Sequence, residues 1–117
     1  MEQDRDTQGR FYSPERKTHK ISIRIELFDY RVLRYLATEW KTTIPNVLTE
    51  LIEDAYMEYA TKGTIPDLYA EDDKLSVWYS FRVTQATRSM LWELAEMAGA
   101  SLSEMIRSIL AEYEETH

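Results

Sequence analysis

An internal repeat constrains this chain more than any other feature of its sequence. Two stretches carry the same order of apolar and polar residues at an offset of 58 positions, without gaps. At that offset Ser22 falls on Ser80 and Arg24 falls on Arg82. Leucine and alanine also coincide further along: Leu33 with Leu91, Leu36 with Leu94, and Ala37 with Ala95. Such a chain is expected to use one supersecondary unit twice.

Each copy of the repeat begins with strict alternation of apolar and polar residues. In the stretch 19–25 three isoleucines occupy alternate positions, and the corresponding positions further along hold Tyr79, Phe81 and Val83. Because successive side chains of a strand point to opposite faces, the alternation predicts two half-buried strands. The polar positions between the apolar ones form a second, exposed face.

Two helices are predicted after each strand, from apolar residues at helical spacing. Thr43, Thr84 and Ser101 are good N-caps, Ser101 forms a capping box with Glu104, and Gly99 suits the end of a helix. The fourth helix is expected to follow Ser101. The first three are expected over residues 27–40, 44–60 and 85–98.

A single strand with two helices leaves unpaired strand edges and an uncovered apolar face. Two copies remove both problems when the strands pair antiparallel and the four helices close one core. The chain is therefore expected to contain a folded unit over residues 19–117. Its expected parts are a disordered basic N-terminal arm at 1–18, a first repeat at 19–60, an acidic linker at 61–74 and a second repeat at 75–117.

Both repeats resemble the ribbon-helix-helix family of Arc, MetJ and CopG regulators over about residues 19–60 and 75–116. The resemblance rests on the alternating strands, the second of them followed by Thr84, and on the shared leucines and alanine. It also rests on the segments Thr43-Ile44, 99–104 and Ile106-Arg107. It departs from the family pattern at three positions of the first repeat: Glu26, Lys41 and Pro45. The tandem arrangement is similar to that of TraY-type plasmid proteins.

The resemblance implies a mainly α fold class with a two-stranded antiparallel ribbon. In that fold class a tandem ribbon-helix-helix chain, with strand-helix-helix twice, forms an intramolecular pseudo-dimer. The expected state is a monomer built as a single-chain pseudo-dimer, and higher assembly on DNA is compatible with it.

The resemblance also implies a binding site for double-stranded DNA. In this family the two-stranded ribbon enters the major groove, where outward side chains meet base edges. By position, the base-reading residues are Lys20, Ser22, Arg24, Trp78, Ser80 and Arg82. The residues expected to contact phosphates are Thr43, Ser101, Arg16, Lys17 and Arg88.

Alternative interpretations stay open for several of these residues. Polar side chains line the outer face of any exposed sheet. Trp78 suits contact with DNA, packing on the edge of the ribbon or packing against the N-terminal arm. Helix capping alone is a sufficient reason for Thr43 and Ser101 at their positions, without any contact to DNA. Arg16 and Lys17 are either phosphate ligands or part of a solvated basic tail.

The net charge of −7 disfavours nucleic-acid binding when it is taken alone. The distribution of this charge favours nucleic-acid binding, because positions 10–25 carry five basic residues and one acid, Glu15. The acidic residues concentrate in the second predicted helix, in the linker and near the last residues of the chain. The sequence therefore predicts a basic stripe on an acidic body.

The sequence holds no motif for catalysis. It has no cysteine, no glycine-rich phosphate loop and no partner at metal-ligand spacing for His19 or His117. We therefore expect no enzyme activity, no cofactor, no metal and no small-molecule substrate. No apolar run is long enough for a membrane span, and the first ten residues are too polar for a signal peptide, so a cytoplasmic protein without a membrane partner is expected.

The predicted function is sequence-specific DNA binding, as a transcriptional repressor or as an accessory factor of a plasmid or another mobile element. The alternative is a protein-interaction module, antitoxin-like or inhibitor-like, that kept the scaffold and lost DNA binding. The acidic body and Trp78 favour the alternative, and the placement of the basic residues favours DNA binding.

Overall fold

The computed structural model describes residues 19–68 and 76–116. The predictions for the arm, including Arg16 and Lys17, lie outside the described residues, as do those for positions 69–75.

The two alternating segments form strands that pair with each other. Strand β1 spans His19–Glu26 and strand β2 spans Ser76–Val83, and they form a two-stranded antiparallel sheet. Their odd-numbered residues point into the protein. In β1, Ile23 and Ile25 are fully buried, while Arg24 between them is exposed. This is the alternation that the sequence predicts.

Four helices complete the described part of the chain. Helix α2 continues into the predicted linker, and Gly63 ends it in the left-handed conformation that favours glycine. The last turn is also held by an ion pair between Lys62 and Glu58 at 3.3 Å. The bounds are Leu27–Glu39 for α1, Ile44–Lys62 for α2, Gln85–Ala98 for α3 and Leu102–Thr116 for α4.

The core lies between the inner face of the sheet and the four helices. Each helix turns one apolar stripe inward, and the buried residues of both halves belong to a single cluster. Its fully buried members include Leu33 on α1, Val47 on α2, Leu94 on α3 and Leu110 on α4. The chain is therefore held together by burial that neither half completes alone.

The predicted tandem ribbon-helix-helix fold class, with two repeated units forming a pseudo-dimer, is corrected by the structure. The described residues form one mostly α-helical body with a single two-stranded antiparallel sheet and four helices, and they do not clearly divide into two repeats of one unit. The two strands pair antiparallel as expected, but the helices that follow them differ between the two halves.

Local differences between the halves explain why the sequence repeat does not become a clear structural repeat. Helix α2 has 19 residues, whereas α4 has 15. Helix α3 starts at a side-chain cap, in which Thr84 accepts a hydrogen bond from the amide of Thr87, whereas Glu26 provides no such cap to α1. The offset pattern preserved the apolar positions but not the residues that set helix lengths and ends.

The backbone of the turn after α1 is strained, whereas that of the turn after α3 is not. Lys41 has a φ of 56°, whereas the corresponding helix end is made by Gly99 with a φ of 67°. A side chain in this left-handed region costs about 1–2 kcal/mol that glycine does not incur. We expect Lys41→Gly to raise the free energy of unfolding by about 0.5–1 kcal/mol, measured by urea denaturation.

The matched control is Gly99→Ala. A Cβ at this position would meet no atom within 4 Å, so only the backbone conformation is affected. This variant is expected to lose about 1 kcal/mol. If Lys41→Gly lowers stability while Gly99→Ala behaves as expected, the turn at Lys41 is not strained.

Candidate nucleic-acid interface

The outer face of the sheet carries the six side chains predicted to meet DNA bases. All six are exposed, and they lie on alternate positions of the two paired strands. The register sets Lys20 opposite Arg82, Ser22 opposite Ser80 and Arg24 opposite Trp78. The structure therefore brings these residues together on one surface.

This ribbon face is basic although the protein is acidic. It carries three cationic side chains, Lys20, Arg24 and Arg82, and no exposed carboxylate. Glu26, the sole acid within the two strands, lies at the end of β1 and is only 9% exposed. A local basic strip is what attraction to a polyanion requires, and the net charge of the whole chain does not reveal it.

Two hydrogen bonds across the strands order the ribbon, one at its middle and one at the end where β2 begins. The hydroxyls of Ser22 and Ser80 lie 2.8 Å apart, and Nε of Arg24 donates to Oγ of Ser76 over 2.8 Å. The second bond fixes the plane of the guanidinium and leaves both terminal nitrogens to bind another acceptor. Arg24 is thus oriented before any ligand arrives.

Helix α4 holds the backbone of Arg24 in place. The amide of Arg24 donates to Oγ of Ser103 over 2.9 Å, and its carbonyl accepts from Nε of Arg107 over 3.1 Å. These contacts attach the ribbon to the first two turns of α4. Any ligand bound by Arg24 would therefore lie close to the start of that helix.

Sequence reasoning missed three positioning residues: Ser76, Ser103 and Arg107. Ser76 lies on the outward face by the same alternation as Trp78, so extending the strand by one pair of residues would have found it. Nothing in the sequence indicates the contacts of Ser103 and Arg107, since these residues are about 80 positions from Arg24.

Among the large apolar side chains of residues 19–68 and 76–116, that of Trp78 is the most exposed, at 72%. It stands beside Arg24 on the ribbon rather than against the core. The other aromatic residues of β2 lie on the opposite face, where Tyr79 stacks on Phe81. Burial, and to a smaller extent the neighbouring Tyr30, raise the pKa of the Tyr79 phenol there. The exposed indole therefore belongs to the candidate interface.

The two helix N-termini predicted to bind phosphates are unequal. At α2, Thr43 accepts from the amide of Asn46 over 3.3 Å, and the first turn has no acidic residue. At α4, the Ser101 hydroxyl accepts from the amide of Glu104, and the Glu104 carboxylate accepts from the amide of Ser101. The carboxylate already occupies the positive end of α4, so Thr43 is the better placed of the two for an anion.

The capping box at α4 gives a prediction about stability. Ser101→Ala removes the acceptor for the Glu104 amide and is expected to lower the free energy of unfolding by about 1 kcal/mol, measured by urea denaturation. Glu104→Gln is the control, because a glutamine oxygen still accepts from the Ser101 amide. Equal stability of Ser101→Ala and the parent would contradict a structural role for this cap.

Arg88 is partly engaged within its own helix. Its guanidinium lies over the ring of Trp92, 5.5 Å from the ring centroid. Such a contact is weak at an exposed site, about 0.5–1 kcal/mol, and leaves the N–H groups at the edge of the guanidinium. Its role toward phosphate stays a prediction.

Two searches of the described residues bear on other functions. Within residues 19–68 and 76–116, no group of three or more histidines and carboxylates is placed to hold a metal ion. No helix in the same part of the chain is both long enough and apolar enough to cross a bilayer.

Comparison with models of known protein families, with curated proteins and with solved structures finds no match for this chain. The resemblance to the ribbon-helix-helix family accordingly stays a prediction from the sequence.

Proposed function

We propose that the protein binds double-stranded DNA in a sequence-specific manner, by inserting the β1–β2 ribbon into the major groove. The single observation that carries this proposal is the ribbon face itself. Six exposed side chains, three of them cationic, project from one side of a two-stranded sheet whose other side is buried.

The dimensions of the ribbon suit this groove. Each strand has 8 residues, which corresponds to about 26 Å of extended chain. The major groove of B-DNA is about 12 Å wide and admits a two-stranded ribbon. Arginine donates a pair of hydrogen bonds to guanine, and serine donates to or accepts from base edges. The side chains on the ribbon are therefore of types that read bases.

Phosphate contacts on either side of the ribbon would set its orientation. Thr43 at the start of α2 is the strongest candidate, because its helix end carries no competing acid. Ser101 is adjacent to the ribbon through the contacts of Ser103 and Arg107 with Arg24. Arg88, together with Arg16 and Lys17 of the arm, completes the proposed set.

The proposed role is that of a transcriptional repressor or of an accessory factor of a plasmid or another mobile element, working in the cytoplasm. The proposed macromolecular partner is DNA, and the proposal includes no enzymatic activity and no cofactor. We propose that the protein is a monomer in the absence of DNA, because one chain already supplies both strands and closes one core.

The test is selection of a binding site from randomised DNA duplexes, followed by titration of that site with the protein. Binding is expected to be specific, and its affinity is expected to fall at least about tenfold between about 50 and 200 mM salt, as two or more phosphate contacts require. Fluorescence anisotropy of labelled duplex measures both properties.

An RNA duplex of the selected sequence is the matched control. The major groove of A-form RNA is too narrow and deep for side chains on a ribbon to read, so binding is expected to be much weaker. Equal affinity for the two duplexes would show that the ribbon does not read a major groove. Failure to select any DNA site would instead favour the protein-interaction module.

A further inference from the structure

A groove between α2 and α4 lies outside the candidate interface and shares no residue with it. It has a volume of about 510 Å³, which is within the range of small-molecule sites. Leu51, Ala55 and Ile109 form its apolar floor, and Thr64 and Pro66 of the segment after α2 border it. The groove is thus built by α2, α4, the segment after α2 and Trp40, the residue that ends α1.

Two aromatic rings stand at one end of this groove. Trp40 and Tyr113 line it, and their ring centroids lie 6.4 Å apart with the planes at 76°. One ring therefore turns its edge toward the other. The faces of aromatic rings attract cations through the negative charge of their π systems.

Acidic side chains make up the rest of the border. Glu50, Asp54 and Glu58 follow each other at four-residue spacing along α2, and Glu112 joins them from α4. Like charges at this spacing repel each other and destabilise a helix. A bound cation would relieve that repulsion.

Most of this negative charge is not compensated within the described residues. Glu58 pairs with Lys62, but the carboxylates of Glu50, Asp54 and Glu112 make no hydrogen bond or ion pair there, and no described basic residue lines the groove. An adjoining hollow shares Trp40 and Glu50 and includes Thr49, whose buried hydroxyl has no partner within the described residues. A ligand with a positive charge and hydrogen-bonding capacity would satisfy these groups.

We propose that this groove binds a small organic ammonium ion with an apolar body. The apolar body packs on Leu51 and Ile109, and the positive charge lies among the carboxylates and against the aromatic rings. An anion is repelled by the border, and a fully hydrophilic cation leaves the apolar floor uncovered. This binding is separate from DNA binding and does not depend on it.

The test is titration of the labelled protein with 2-phenylethylammonium, followed by amide chemical shifts in two-dimensional NMR spectra. Saturable shifts are expected at residues 50–58 and 109–116. The neutral analogue 2-phenylethanol has nearly the same shape and is expected to bind about fivefold more weakly or worse, because it gains no attraction from the carboxylates.

A pair of double variants separates this site from general acidity. Asp54→Asn with Glu112→Gln is expected to weaken binding of 2-phenylethylammonium by about fivefold or more. Glu96→Gln with Glu115→Gln removes the same charge from exposed positions outside the groove and is expected to leave the affinity unchanged. The spectra themselves report whether each variant is folded.

The proposal is overturned by equal binding of the neutral analogue, by equal weakening in both double variants, or by shifts that fall outside the two helices. Binding of a basic peptide at these residues, without any binding of 2-phenylethylammonium, would also overturn it and would make the groove a protein-docking surface.

Discussion

Replacing Arg24 and Arg82 together with alanine is expected to weaken binding to a selected DNA site by about 2–6 kcal/mol, or about 30-fold to 20,000-fold in Kd. Each arginine is proposed to form a pair of hydrogen bonds with guanine, and losing one such contact costs about 1–3 kcal/mol. Discrimination between bases at the two contacted positions is expected to relax as well. Anisotropy titrations at one salt concentration, with the selected duplex and with duplexes altered at single positions, measure both effects.

Two controls identify the cause of that loss. Arg31→Ala with Arg34→Ala removes the same charge from exposed positions of α1, so a general electrostatic effect would appear equally in this variant. Arg24→Lys keeps the charge but loses the planar fork, so a lost base contact lowers specificity while a phosphate contact largely survives. If the double alanine variant binds the selected site as tightly as the parent, the ribbon is not the reader.

Leu94→Ala is expected to lower the free energy of unfolding by about 2–5 kcal/mol. Leu94 is fully buried in the middle of the core, so its truncation removes apolar contacts and leaves a cavity. A loss of this size is a large share of the about 5–15 kcal/mol that usually stabilises a domain. Urea denaturation followed by circular dichroism measures the change.

Met97→Ala is the matched control on the same helix. Met97 is 57% exposed, so its truncation is expected to change stability by about 0.5 kcal/mol or less. A loss below about 1 kcal/mol for Leu94→Ala would contradict a tightly packed core in which all four helices take part.

The strands and the helix ends were predictable because their signals are local. Alternation over six or seven residues indicated which side chains of each strand face outward, and the structure places them there. Thr43, Thr84 and Ser101 cap helices in the structure, as their positions before apolar runs indicated. Each of these features depends on residues within about four positions of one another.

The repeat itself was a less reliable guide. Matching apolar positions predicted two copies of one unit around a shared sheet. The structure has one two-stranded sheet, but its mostly α-helical body does not clearly divide into two repeats. The signals of difference were already visible in Glu26, Lys41 and Pro45. These three residues indicated that the helix ends differ between the two halves. Apolar periodicity does not report such differences, because it indicates which faces of a helix are buried and not how long two helices are or whether they are equivalent.

What the sequence by itself determined is the identity of the faces: the polar side of the ribbon, the apolar stripes and the acidic positions of α2. What only the tertiary structure decided is which faces meet. The register that sets Arg24 opposite Trp78, the clamp of Arg24 by Ser103 and Arg107, and the groove between α2 and α4 join residues far apart in the chain. Their positions follow from how the whole core packs, and packing between distant segments leaves no periodic signal in a single sequence.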